Sequence, residues 1–181
     1  MITLLTRLDT AFALLARLCG ALAGIAMILM LCNVFYDVVM RYAFNEVSIA
    51  MQELEWHLFS AAFLLGIPYA LHENSHVRVD ILYDRWQPKT QAWINLFGTV
   101  FFILPFIVLV TFYSLQFAAD ANQMGEGSGD PGGLPYRWIV KSLIPVSFIL
   151  LGIVSLGLIT RSLLTLMNVQ VERKQNSSHL A

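Results

Sequence analysis

Four stretches of this chain, residues 18–36, 56–71, 90–119 and 142–160, contain no Asp, Glu, Lys or Arg. A hydrocarbon layer about 30 Å thick is crossed by about 20 helical residues rising 1.5 Å each, so runs of this length and purity read as membrane spans. A soluble core would show shorter runs broken by polar positions. Composition points the same way: hydrophobic residues make up 57% of the 181 positions and charged residues 13%, where a soluble domain carries about 25% charge. The mean hydropathy is +0.67. The expected fold is an all-α integral membrane protein with four transmembrane helices. It forms a single domain over residues 1–171, with spans at about 18–39, 48–71, 90–119 and 139–161, followed by a polar cytoplasmic tail over 172–181. The third block, fully helical, would measure about 45 Å and should tilt or protrude. Pro68, Pro105 and Pro145 fall inside spans, where neighbouring helices can accommodate a kink.

Sidedness follows from the placement of Lys and Arg. Arg7, Arg17, Arg78, Arg85, Lys89, Arg161, Arg173 and Lys174 fall on one side. The other side has Arg41, Arg137 and Lys141, together with the acids from Asp37 to Asp130. Both termini are therefore expected in the cytoplasm. Ahead of the first span, Leu4, Leu5, Leu8, Ala11, Phe12 and Leu15 recur at helical spacing opposite Arg7, Asp9 and Arg17, the pattern of a short N-terminal interfacial helix. The first block exceeds a signal-peptide core and no small-residue cleavage site follows it, so it is read as a retained span. Cys19 and Cys32 would stand about 20 Å apart on one helix, beyond disulfide reach. A net charge of −1 gives no basic footprint for nucleic acid.

Several motifs invite a chemical reading. His72-Glu73-Asn74-Ser75-His76 matches H-E-x-x-H, which on a helix would present two zinc ligands and a general base; a membrane-embedded zinc metalloprotease is the alternative this raises. Asn74-Ser75 sits where the second helix should end, no distant third ligand stands out, and the motif lies at a membrane edge. A polar helix end accounts for it more simply. The segment 127–132 fits G-x-G-x-x-G but lacks the strand-turn-helix setting a dinucleotide needs, and reads as turn chemistry. Glu53 and Glu55 are two apart and would point in nearly opposite directions on a helix. Asp37 and Arg41 are four apart with the acid first, a favourable ion-pair spacing, and Asn33 extends that face one turn deeper. The pair suits either a helix anchor or subunit contact, or a snorkelling surface pair. Histidines on facing spans, as a haem subunit needs, are missing from the first, third and fourth blocks, and the outer loops have no cysteine for disulfide chemistry. The span centres are aliphatic and aromatic, which fits a scaffold or partner subunit and requires no cofactor.

Three stretches carry a family resemblance. They are Asp37-Val-Val-Met-Arg41-Tyr42-Ala-Phe44-Asn45 leaving the first span, Gln52-Glu53-Leu54-Glu55 followed by Phe59 to Gly66 in the second, and His76-Val77-Arg78-Val79-Asp80-Ile81-Leu82-Tyr83-Asp84 after it. In order, placement, length and span number the chain resembles the small membrane (DctQ-type) subunit of tripartite ATP-independent periplasmic (TRAP) transporters. The family often sets a tryptophan before the acidic pair; here Trp56 follows it. The resemblance implies a bacterial inner-membrane protein that is not an enzyme. Its partners would be a large permease subunit, which binds sodium and substrate, and a periplasmic solute-binding receptor that delivers an organic anion, commonly a carboxylate. It singles out Asp37, Arg41, Glu53, Glu55, His76, Arg78, Asp80 and Arg137 as interface or family-motif positions. The run from Gly129 through Arg137 to Pro145 resembles the branch associated with larger solutes, 2-oxo acids among them.

Overall fold

The computed structural model of the chain describes residues 2–73 and 86–167, with side chains from residue 5 onward. All regular structure among these residues is helical. Helix α1 (Ile2–Ala43) has no proline and no glycine before Gly20, so nothing interrupts its backbone ladder. Its 42 residues extend about 63 Å, roughly twice the hydrocarbon thickness. The amphipathic N-terminal segment is thus continuous with the first span, as the first turns of the same helix. The helix closes at a left-handed Asn45 (φ 59°), and the Glu46 N–H returns to the Met40 carbonyl at 3.1 Å, satisfying an end carbonyl as a C-terminal cap does. Helix α2 (Ile49–His72) starts on Ser48, whose hydroxyl accepts from the Met51 N–H. The third span is made of α3 (Pro88–Gly98), a π turn (Thr99–Ile103) and α4 (Leu104–Gln123). Helix α5 (Trp138–Leu166) is the fourth. All four spans are long and apolar enough to cross a membrane.

Packing centres on α5. Helices α1 and α2 form an antiparallel hairpin, and both lie on α5; the third span packs on α5 and makes at most marginal contact with the hairpin. The result is an open layer with α5 as its spine. The core comprises Ala16 of α1, Leu71 of α2, Ile107 of α4 and Leu151 and Val154 of α5. Small residues set the approach distances. The Tyr69 ring lies over Gly20, where an added Cβ would meet it at 2.7 Å, and Phe12 lies over Gly157, where a Cβ would sit 3.0 Å from the Phe12 Cβ. Three buried hydroxyls of α5 return to their own helix: Ser155 donates to the Gly152 carbonyl, Thr160 to Leu156 and Ser162 to Leu158.

Proline creates one cross-helix bond. Pro68 has no N–H to give the carbonyl four residues back, Leu64, and that carbonyl would be stranded in hydrocarbon. The hydroxyl of Ser147, fully buried on α5, donates to it. A hydrogen bond between α2 and α5 thus replaces one lost within α2.

The close approach at Gly20 has a measurable consequence. Gly20→Ala should weaken the α1–α2 hairpin by about 1–3 kcal/mol through overpacking against Tyr69. Gly24→Ala, which meets nothing within 4 Å, should be neutral or gain up to about 1 kcal/mol of helix propensity. Equilibrium unfolding in mixed micelles of the two variants against wild type measures the difference.

Candidate functional site at the helix ends

The ionic groups of the described residues gather at the two ends of the layer. At one end Glu53, one turn into α2, is buried, with 6% of its surface exposed. A carboxylate in such a place needs several donors, because burial strips its hydration. The loop joining α4 to α5 supplies them. The Ser128 hydroxyl donates to Oε1 at 2.6 Å, the Leu134 N–H to Oε2 at 2.6 Å, and the Arg137 guanidinium to Oε1 at 3.1 Å. The loop is also tied to itself: the Ser128 N–H bonds the Leu134 carbonyl at 3.0 Å, and the Arg137 N–H bonds the Glu126 carbonyl at 2.9 Å. Gly133 lies against the carboxylate, where a Cβ would come within 2.8 Å of Oε2. Tyr136 holds a left-handed backbone (φ 61°), which is strained for a bulky residue. Its neighbours Leu134 and Arg137 are both fixed to Glu53, and that anchoring maintains the strain. The Arg137 guanidinium carbon also stands 5.8 Å from the Trp56 ring centroid, within cation–π range. Lys141 pairs with Glu126 and lies 4.0 Å over the Phe117 ring.

Nearby on the hairpin, Arg41 donates to Asp37 Oδ2 at 2.6 Å, with Asp37 buried and Arg41 nearly half exposed. One turn deeper the Asn33 amide donates to the Met51 carbonyl at 2.8 Å, fastening α1 to the first turn of α2. Asp37 and Arg41 are therefore paired with each other, and Glu53 with Arg137, as two neighbouring but separate arrangements. Glu55 makes no ion pair among the described residues. His76, Arg78 and Asp80 lie outside the described residues, as does the 172–181 tail.

At the opposite end, Arg161 of α5 donates through Nε to Asp9 Oδ1 at 2.6 Å, joining the start of α1 to the end of α5. Its terminal nitrogens reach the His72 carbonyl at 3.4 Å and the His72 ring at 3.1 Å. His72 is the last residue of α2, and Glu73 caps it with non-helical backbone (ψ 2°). The zinc-ligand reading of His72-Glu73 therefore loses its helical spacing at Glu73, and it places a guanidinium beside the first ligand. Asp9 and Arg161 were not singled out by their sequence. The signal present was a single acid on an otherwise basic N-terminal segment and a single base at the end of the last span.

These features define a multi-pass α-helical membrane protein whose charged side chains tie helix ends and loops together. Residues 30–165 match the family described as "Tripartite ATP-independent periplasmic transporters, DctQ component". The chain is 32% identical over 118 residues to a Haemophilus influenzae protein assigned as a TRAP transporter small permease, covering 65% of this chain and 73% of the relative. It is 24% identical over 149 residues to the ectoine TRAP transporter small permease protein TeaB of Halomonas elongata, covering 81% and 74%. The chain belongs to the DctQ family. It is a transporter component and not an enzyme, and it resides in the bacterial inner membrane.

The Glu53 arrangement predicts a loop held by one side chain. Glu53→Ala should abolish the amide-exchange protection of Ser128 and Leu134, whereas Glu55→Gln should leave it unchanged. Hydrogen exchange read by mass spectrometry over peptides spanning 124–137 measures both.

Proposed function

We propose that this chain is the stationary small subunit of a TRAP transporter, enlarging the membrane frame against which a large permease subunit moves sodium and an organic anion. Membership of the DctQ family supports the transporter role. The observation that carries the scaffold reading is the open layer: one spine helix, α5, with the α1–α2 hairpin and the third span packed on it and in at most marginal contact with each other. A site for sodium and an anion needs several converging oxygens and donors near mid-membrane, usually at broken helix ends. Here the ion pairs of the described residues stand at the layer's two ends instead. The coupling ion and the solute bind the large subunit, and a periplasmic receptor selects the solute, a carboxylate being the expected class.

In this reading the Glu53 end faces the periplasm and the Arg161 end, with both termini, faces the cytoplasm, as the Lys/Arg distribution favours. Single cysteines at Asn45 and Gly127 in a cysteine-free background should react with an impermeant maleimide in intact spheroplasts, and one at Lys89 should not. Reaction at Lys89 alone would invert the topology.

The functional reading is tested in proteoliposomes. The purified chain should accumulate no solute under a sodium gradient with receptor supplied, and co-reconstitution with the large permease should restore uptake. Uptake by this chain alone would make it a transporter in its own right.

A further inference from the structure

Pro68 and Pro105 each remove a backbone donor within a span, and the structure disposes of the freed carbonyls differently. Pro68 frees the Leu64 carbonyl, and Ser147 of α5 donates to it. Pro105 lies just beyond the π turn of the third span. There the Leu104 N–H bonds the Thr99 carbonyl, five residues back. That N–H would normally serve Val100, four residues back, and the next N–H along the chain is missing because residue 105 is proline. The Val100 carbonyl is left without either backbone donor, and Phe101, four residues before Pro105, loses its usual one.

The neighbouring helix does not supply one. The buried hydroxyls of α5 are engaged elsewhere: Ser147 on α2, and Ser155, Thr160 and Ser162 on their own helix. The adjacent Thr99 hydroxyl is buried and has no partner of its own. Val100 is five residues from Pro105, which lies at the middle of the Pro88–Gln123 span, so its carbonyl stands about 8 Å from the middle of that span. An unsatisfied peptide group at that depth is disfavoured by several kcal/mol in lipid. The surrounding turn is open on its outer side. Phe101 is 62% exposed and Pro105 is exposed, and the Phe97 and Phe101 rings meet in a tilted contact at 4.6 Å between centroids. An exposed aromatic shelf beside an acceptor that lacks its backbone donor suits a transmembrane helix carrying a donor better than it suits acyl chains, which offer no hydrogen bond.

We infer that the open side of the π turn, around Val100, Phe101 and Pro105, is where a helix of the large permease subunit seats, donating a side-chain hydrogen bond to the Val100 carbonyl. This rests on the scaffold reading above and adds to it a named face and a recognition chemistry: a Ser, Thr, Asn or Gln donor presented within the membrane at the level of the π turn. The third span, which packs on α5 within this chain, then has a second partner on its free side. The arrangement repeats between subunits what Ser147 does for Leu64 within one.

The test uses the assembled pair in nanodiscs. Phe101→p-benzoylphenylalanine should cross-link to the large permease on illumination, while the same replacement at Phe35 of α1, 72% exposed, should not. With valine labelled at its carbonyl carbon with ¹³C, the infrared difference between wild type and Val100→Leu isolates the Val100 band. That band should lie high in the isolated chain and move to lower wavenumber on assembly. Co-purification of the two subunits with adducts from Phe35 but none from Phe101 would overturn the inference and leave the scaffold reading standing. So would a Phe101 adduct formed with a second copy of this chain, or a Val100 band already low before assembly. Failure of the subunits to associate at all would remove both.

Discussion

Hydrocarbon cannot hydrogen-bond a peptide group, and most of this structure follows from that constraint. Every backbone donor and acceptor in the spans needs a partner from protein, which dictates helices and makes each proline a local problem. Along α2 the problem at Pro68 is solved across the layer by Ser147. At the loop end the same demand is met for a charge: Glu53 is buried and accepts from a hydroxyl, a peptide N–H and a guanidinium. At the other end Arg161 is divided between Asp9 and His72. Polar bonds thus fasten α2 to α5, or to the loop leading into it, at both ends and in the middle.

That fastening explains why an open layer holds its shape. Apolar burial gives little preference for helix association in lipid, since acyl chains are as apolar as leucine; close backbone approach and interhelical hydrogen bonds must do more. The chain supplies both. Gly20 and Gly157 let Tyr69 and Phe12 settle against the backbone, and Asn33 fastens α1 to the start of α2. The third span lacks comparable ties to the hairpin and depends on α5 through Ile107, Gly152 and the Phe106–Phe148 ring contact. Its free side is broad and aromatic.

The four spans were legible in the sequence because charge-free runs and helix length are local properties. The Asp37–Arg41 pair was legible for the same reason, its members being one turn apart on a single helix. Glu53 was not. Its partners follow by 75 to 84 positions, and the loop that carries them reads as turn residues until it is folded back over α2. Glu53 and Glu55 look alike in sequence, yet one is buried under a loop and the other makes no ion pair among the described residues. Asp9 and Arg161, 152 positions apart, could be joined only by knowing that α1 and α5 run antiparallel. The π turn was equally hidden, since Pro105 announces a disturbance but not which carbonyl it strands.

The central claim is that this layer is a fixed frame while solute moves elsewhere in the transporter. Spin labels at Phe35 on α1 and Phe112 on α4, one on each side of the α5 spine, measure it in the fully assembled complex by double electron–electron resonance. A fixed frame predicts a single distance distribution that is unchanged by sodium, by receptor with solute, or by both together. A distribution that shifts or splits when sodium and solute are added would show the hairpin and the third span moving relative to one another, and would contradict the account.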